Sequence, residues 1–461
     1  MDATYKLLTL PNLQGNPLVE ALHFLCDPEF QEQVVSGKYQ WCPPNYWKLS
    51  KIYRVTVLEA LNQIHVPAPQ MEILYEKIVS HLLNSYSLRN PLRANSNRIK
   101  YKLAVALNEK IAAVPAAMTT APTMLVHGVS GAGKSTTILS ILNAIPQVIC
   151  HQEYEGKPYQ QSQLLWISMD LPATPSIKAL ALNFFRAVDK ALGTDEYYTV
   201  WSKRNRDSVD QHITGMQLVA QTHELGLVHI DEMQFMKGYA KSKDTPSMTV
   251  LEAIFNKLGI PMLLSTTTAG LEIFRADYSA NGSADFTIAR RMLNDRAIQF
   301  KPLTKDSPQY KRFIEALFPR DILLNCTALS EEFIDRFYLL SCGLPAIMLR
   351  LAKQHHEILM QRAEKKGADS MSTDDVKLLL SVYKNQFSLI DPALSCLRRG
   401  IADEYEKQIP QDWKSTNQKE KMKRRDLDAK AVTPVTNAMF PPSENDDSVV
   451  KQPSKLTLGT V

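Results

Sequence analysis

Residues 124–137, MLVHGVSGAGKSTT, decide how this 461-residue chain is read. Met124, Leu125 and Val126 form a short apolar run of the kind that becomes a buried parallel strand. Gly128, Val129, Ser130, Gly131, Ala132, Gly133, Lys134 and Ser135 then spell G-x-x-x-x-G-K-S, with Thr136 behind. An apolar helical pattern follows at Ile138, Leu139, Ile141 and Leu142. Strand, glycine-rich loop and helix are the context a phosphate-binding loop requires. The glycines let successive backbone N–H groups converge, and the helix N-terminus adds partial positive charge. Lys134 is expected to reach the β- and γ-phosphates of ATP, and the Ser135 hydroxyl to hold Mg²⁺. A flexible loop with a surface lysine would explain neither the strand before nor the helix after.

The surrounding pattern alternates strand and helix from residue 116 to 303, as a parallel sheet covered by helices demands. Candidate strands are 124–127, 147–150, 164–169, 227–231, 262–266 and 297–300. Between them, residues 176–192 read as a helix capped by Ser176, apolar at Ile177, Leu180, Phe184 and Val188, and ended by Gly193. Residues 1–115 are punctuated by prolines and aromatics, with helical patterns near 52–64 and 70–84, and read as a docking region or a clamp on the nucleotide domain. The stretch 85–98, SYSLRNPLRANSNR, reads as a turn-rich basic link. Residues 304–410 show only helical patterns, near 309–318, 329–340, 345–361, 374–383 and 392–406. Residues 411–461 lose apolar periodicity: between Lys414 and Lys430 seven Lys and Arg stand against three Asp and Glu, then Pro, Ser, Asp and Thr follow, a composition expected to be disordered.

Leu227 to Glu232, LVHIDE, is an apolar strand ending in two acids. A carboxylate at the tip of a strand beside a phosphate loop can hold the shell of a metal ion, and the next can deprotonate a water. Asp231 is assigned to Mg²⁺ and Glu232 to the water. His229 within that strand reads as structural, satisfied by a backbone or neighbouring polar group. The run Ser265, Thr266, Thr267, Thr268 closes the next strand; Thr267 is the choice for a hydroxyl between water and γ-phosphate, with Thr266 and Thr268 one residue away. Arg290 and Arg291 precede the last strand, and either can supply a guanidinium to a neighbouring subunit's γ-phosphate.

Composition bounds these readings. Net charge is +5, 44% of residues are hydrophobic and 22% charged, ordinary for a globular protein and permissive of nucleic-acid contact without arguing for it. The six cysteines lie far apart and form no C-x-x-C, so reduced thiols of a cytoplasmic protein are expected. No secretion signal and no apolar run of about 18 residues is present, so no membrane contact is expected.

With both nucleotide motifs in view, the sequence resembles the TnsC/TniB group of AAA+ ATPases, target-selection regulators of bacterial transposons. The likeness rests on residues 183–193 (NFFRAVDKALG), 225–234 (LGLVHIDEMQ), 259–274, 16–22 (NPLVEAL) and 89–91 (RNP). It spans roughly 12–300 and is looser beyond. It departs at 266–268, where three threonines stand and the family often has Gly-Thr-Pro. The resemblance implies an α/β fold, an AAA+ P-loop NTPase whose parallel sheet is flanked by helices, with an all-helical lid at 304–410. It also implies ATP-driven oligomers, rings or filaments, on double-stranded DNA. These would link a target-site selector protein to the transposase and come apart on hydrolysis. The DNA contacts it implies are Lys203, Arg204 and Arg206 before the acidic strand, then Lys237, Lys241 and Lys243 after it. Arg350, following Gly343–Leu344–Pro345, stands where many AAA+ lids present an arginine to the nucleotide. A helicase-loader or replication-initiator ATPase is the alternative within the same fold.

Overall fold

A chain whose apolar runs are short and continuous must bury each as a strand covered on both faces, and the computed structural model places them so. It describes residues 1–37, 39–109, 122–172, 176–235, 258–271, 297–400 and Tyr405. Along the chain come β1 (Thr123–Gly128), β2 (Val148–Tyr154), β3 (Lys157–Leu164), β4 (Trp166–Asp170), β5 (Leu227–Asp231), β6 (Met262–Thr267) and β7 (Ala297–Phe300). Five of them form one parallel sheet in the order β4-β5-β6-β1-β7. The chain leaves β1 in the sheet's interior and reappears at the far edge as β4, so crossovers diverge beside β1. Such a switch point opens a crevice at the carboxyl ends of the strands, where ligands bind.

Two expectations about strands need correction. Residues 147–150 do not join the parallel sheet: β2 pairs antiparallel with β3 in a separate hairpin. Its turn carries Glu155 at φ 51° and Gly156 at φ 75°, the left-handed pair that suits a tight hairpin. The run 164–169 is also two elements, since Leu164 closes β3 and β4 begins at Trp166. The hairpin is extended by the N-terminus, where Ala3 N–H donates to Cys150 O at 2.9 Å and Cys150 N–H to Met1 O at 2.8 Å.

Helices α1 (Pro17–Glu20), α2 (Pro28–Val35), α3 (Lys51–Glu59), α4 (Met71–Ser87) and α5 (Ala94–Asn108) build the N-terminal region. Most of the expected link 85–98 is therefore helical: α4 runs through Ser87 and α5 begins at Ala94. Next come α6 (Lys134–Ala144), α7 (Ile177–Leu192), α8 (Glu196–Ser202) and α9 (Val209–Thr222). In α7, Ser176 Oγ accepts from Ala179 N–H and Gly193 ends the helix in the left-handed region, as its sequence predicts. Its stripe of Leu180, Phe184, Phe185 and Val188 is wholly buried beside Ile167, Val228 and Ile230. At roughly 2 kcal/mol for each fully buried side chain, that stripe holds α7 to the sheet far more firmly than its caps do.

After β7 the described chain is helical: α10 (Pro308–Leu317), α11 (Glu331–Ser341), α12 (Pro345–Lys366), α13 (Val376–Gln386) and α14 (Asp391–Arg398). The N-terminal region ties to both neighbours. Tyr86 Oη donates to Glu224 O at 2.7 Å, and Lys100 pairs with Glu224 at 2.6 Å. On the other side the indoles of Trp41 and Trp47 donate to Ala316 O (2.7 Å) and Ile322 O (3.1 Å). Arg54 and Lys51 both meet Glu364 of α12 at 2.9 Å. All six cysteines are free thiols. No helix among the described residues is long and apolar enough to cross a membrane.

Candidate functional site

The phosphate loop occupies the turn from β1 into α6. Gly128 pairs with Phe300 of β7, and a Cβ on it would lie 2.1 Å from the Phe300 carbonyl oxygen. Only glycine lets the two backbones approach so closely there. α6 begins at Lys134, so the N–H groups of its first turn face the loop's concavity. Lys134 is almost wholly buried, and its ammonium donates to Gly128 O at 2.8 Å and Val129 O at 3.1 Å. A cation beside a glycine-rich loop and a helix N-terminus makes a positive cradle of the kind that binds phosphates.

Across the loop, β5 delivers Asp231 and Glu232. Asp231 Oδ1 accepts from Ser265 Oγ at 2.5 Å and from Glu232 N–H at 2.8 Å, and its carboxylate also bonds the Ser135 hydroxyl. Burial alone would raise this carboxyl. The hydrogen bonds from Ser265, Ser135 and Glu232 N–H, with the His229 ring behind them, outweigh burial and hold it below the usual carboxylate range. Ser135 and Asp231 thus present hard oxygen donors side by side. That donor set suits Mg²⁺, which takes one or two protein oxygens and completes its shell with phosphate and water. Glu232 stands in the left-handed region at φ 62°, an uncommon place for a non-glycine residue, and its carboxylate accepts from the Gln234 side-chain amide.

Loop, acids and helical region share one cavity of about 300 Å³. Its further wall is a stretch the sequence reading gave no part in chemistry: residues 62–70 of the N-terminal region, including Ile64, Val66, Pro67 and Pro69. Leu303, just past β7, and Phe313, Pro345 and Leu349 of the helical region also face it. An apolar slot opening off a phosphate cradle can take a planar base. Ala346, in the first turn of α12, donates its N–H to Gly131 O at 3.2 Å, so α12 begins directly on the phosphate loop. Gly343, at φ 64° just before it, pairs with Leu303 (N···O 2.8 Å), where a Cβ would strike the Leu303 carbonyl oxygen at 2.0 Å.

The remaining candidates fall in different places. Thr267 lines the cavity at the end of β6 and its Oγ accepts from Gly270 N–H at 3.2 Å. Thr266 lines it too, buried, with no partner for its hydroxyl among the described residues; Thr268 does not. Lys178, at the start of α7, donates to Asn205 O at 2.9 Å. Residues 203–206 therefore lie at the carboxyl end of the sheet, the rim that also carries the phosphate loop. Lys203 and Arg206 are exposed there. Arg204 lies 4.8 Å over the Trp201 ring and 4.0 Å from Asp207. Arg350 is not in the cavity wall; it stacks 5.1 Å over Phe387 inside the helical region, which corrects its expected place beside the nucleotide. Lys237, Lys241, Lys243, Arg290 and Arg291 lie outside the described residues, as does the stretch 411–461.

Residues 117–273 match a known family, described as an AAA domain. No curated protein matches the chain. Among solved structures, the chain is similar to the Walker-type ATPase PABY2304 of Pyrococcus abyssi at 15% identity and TM-score 0.36, covering 68% of this chain and 84% of that one. It is also similar to the ORC2 protein of Aeropyrum pernix in ADPNP–ADP complexes, at 12% identity and TM-score 0.36, covering 64% and 68%.

Proposed function

We infer that this chain, whose residues 117–273 match an AAA domain, hydrolyses ATP to control its own assembly on double-stranded DNA as a regulator of DNA transposition. One observation carries the nucleotide part: phosphate loop, adjacent acids, N-terminal wall and the start of α12 all border a single cavity. Gly128 to Thr136 cradle the triphosphate, with Lys134 on the β- and γ-phosphates. Ser135 and Asp231 would hold Mg²⁺, which would screen the phosphate charge. Glu232 takes a proton from the attacking water, and Thr267 orients the γ-phosphate end. Gln234 holds Glu232 in place until that water arrives.

Two further parts of the reading concern assembly. Arg290 or Arg291 of one subunit completes the site of the next, so hydrolysis waits on oligomer formation and then releases it. Lys203, Arg204 and Arg206, with Lys237, Lys241 and Lys243, meet DNA phosphates, so binding is salt-sensitive and indifferent to sequence. Placement of Lys203 and Arg206 on the nucleotide rim of the sheet supports this, since one edge then serves nucleotide and DNA together. The transposition assignment, with a transposase and a target-site selector as partners, rests on the sequence likeness of residues 12–300 to TnsC/TniB proteins. The test is hydrolysis with and without duplex DNA, followed by strand transfer in a reaction reconstituted with a transposase. Stimulation of both supports the reading; hydrolysis indifferent to duplex, with transfer unchanged, removes the DNA half of it.

A further inference from the structure

Behind Asp231 a line of side-chain hydrogen bonds crosses three strands. Ser168 of β4 meets His229 Nδ1 at 2.9 Å, and His229 Nε2 meets Ser265 Oγ of β6 at 3.2 Å. Ser265 Oγ in turn meets Asp231 Oδ1 at 2.5 Å. His229 and Ser265 are both 0% exposed, so neither exchanges these partners for water. Register makes the line possible, since Ser168 stands opposite His229 in the β4–β5 pairing.

The direction of each bond follows from the acid. A carboxylate only accepts, so Ser265 donates its hydroxyl proton to Asp231. The Ser265 oxygen is then free to accept, which requires the proton of His229 on Nε2. A wholly buried neutral imidazole leaves Nδ1 bare, and Ser168 donates to it. Every proton in the line is thereby assigned and no buried polar atom along it is wasted. With Oδ1 tied from behind, the Asp231 carboxylate has one orientation, turned to Ser135.

We propose that Ser265 and His229 are positioning residues that fix Asp231 for the Mg²⁺ of the bound nucleotide, acting through this three-strand line of hydrogen bonds. The proposal rests on the reading that Asp231 meets Mg²⁺. Partners behind a metal ligand typically change metal affinity by roughly 10–100-fold when removed.

The test titrates Mg²⁺ in steady-state hydrolysis with full-length Ser265→Ala, His229→Gln and Ser265→Thr proteins, alongside Asp231→Asn. Affinity for a fluorescent ATP analogue is measured in EDTA. The expected result is a half-saturating Mg²⁺ concentration roughly tenfold higher for Ser265→Ala and His229→Gln, unchanged affinity in EDTA, and near-native Mg²⁺ dependence for Ser265→Thr, which keeps the hydroxyl. Should His229→Gln fail to fold, Ser168→Ala at the far end of the line is read instead, with a smaller shift in the same direction. Native Mg²⁺ dependence in all three while Asp231→Asn is impaired overturns the line and leaves the Asp231 reading standing. An Asp231→Asn protein with native Mg²⁺ dependence removes that reading and the proposal with it. Loss of affinity already in EDTA marks a merely structural role and also overturns the proposal.

Discussion

His355 and His356, adjacent on α12, make the helical region acid-sensitive to a degree that follows from their surroundings. Both are buried; His355 Nε2 donates to Thr373 O at 2.7 Å and His356 Nε2 to Leu317 O at 2.9 Å. Neither Nδ1 has a partner among the described residues, so a second proton would enter an apolar setting beside Phe318 and Phe333. Burial lowers the two imidazoles from 6.5 to about 4 and about 3; His356 is lowered further by its neighbour. Because the native values lie below the unfolded one, the unfolded chain binds more protons. Stability is then complete above pH 6.5 and falls as pH drops toward 4. By pH 5 each histidine contributes a loss of about 2 kcal/mol, because 1.5 pH units at about 1.4 kcal/mol each separate that pH from the unfolded value. The pair together removes about 4 kcal/mol, a large share of the 5–15 kcal/mol typical of a folded domain. Replacing His356 by Gln keeps an amide donor for Leu317 O and deletes one titration. Urea unfolding between pH 6 and 5 is expected to show a slope lower by about 1 kcal/mol per pH unit in the variant. Equal slopes in the two proteins would refute the argument, whatever their stability at pH 8.

Other expectations follow from the site. Lys134→Ala should lose nucleotide binding by isothermal titration, while Glu232→Gln should keep it and lose turnover by at least about 100-fold, as loss of a general base implies. Gly343→Ala forces a Cβ onto the Leu303 carbonyl at a left-handed position, and urea unfolding should show a loss of at least about 2 kcal/mol. Lys203→Ala and Arg206→Ala should each reduce the slope of log affinity for duplex against log salt by about 1, read by fluorescence anisotropy, without changing sequence preference.

Legibility in the sequence tracked how local the physics was. β1, β5 and β6 announce themselves because strands covered on both faces are continuous apolar runs, and α7 does so because its stripe and both caps lie within 18 residues. The hairpin hid because β3 reads KPYQQSQL, a polar strand. Gln163 there is buried and bonds His151 and Leu18 O, partners that no local pattern reveals. The wall at residues 62–70 was illegible for a different reason: Ile64, Val66 and the two prolines look like any rigid connector until α6 and α12 close around them. Arg350 misled because its place after Gly343–Leu344–Pro345, matched to AAA+ lids, does not say whether the side chain meets a cavity or a neighbouring Phe387. For His229 the sequence leaves backbone and side-chain partners equally open; that its partners are Ser168 and Ser265, and that they lead to Asp231, needs the register of three strands.

The most direct test of the central claim is the mass of the full-length protein in solution, measured by light scattering with a slowly hydrolysed ATP analogue, Mg²⁺ and duplex DNA at low salt. Assemblies of several subunits are expected, requiring nucleotide and duplex together and dispersing when ATP replaces the analogue and is consumed. A protein that stays monomeric and apart from duplex, with its cavity saturated by the analogue, would contradict it.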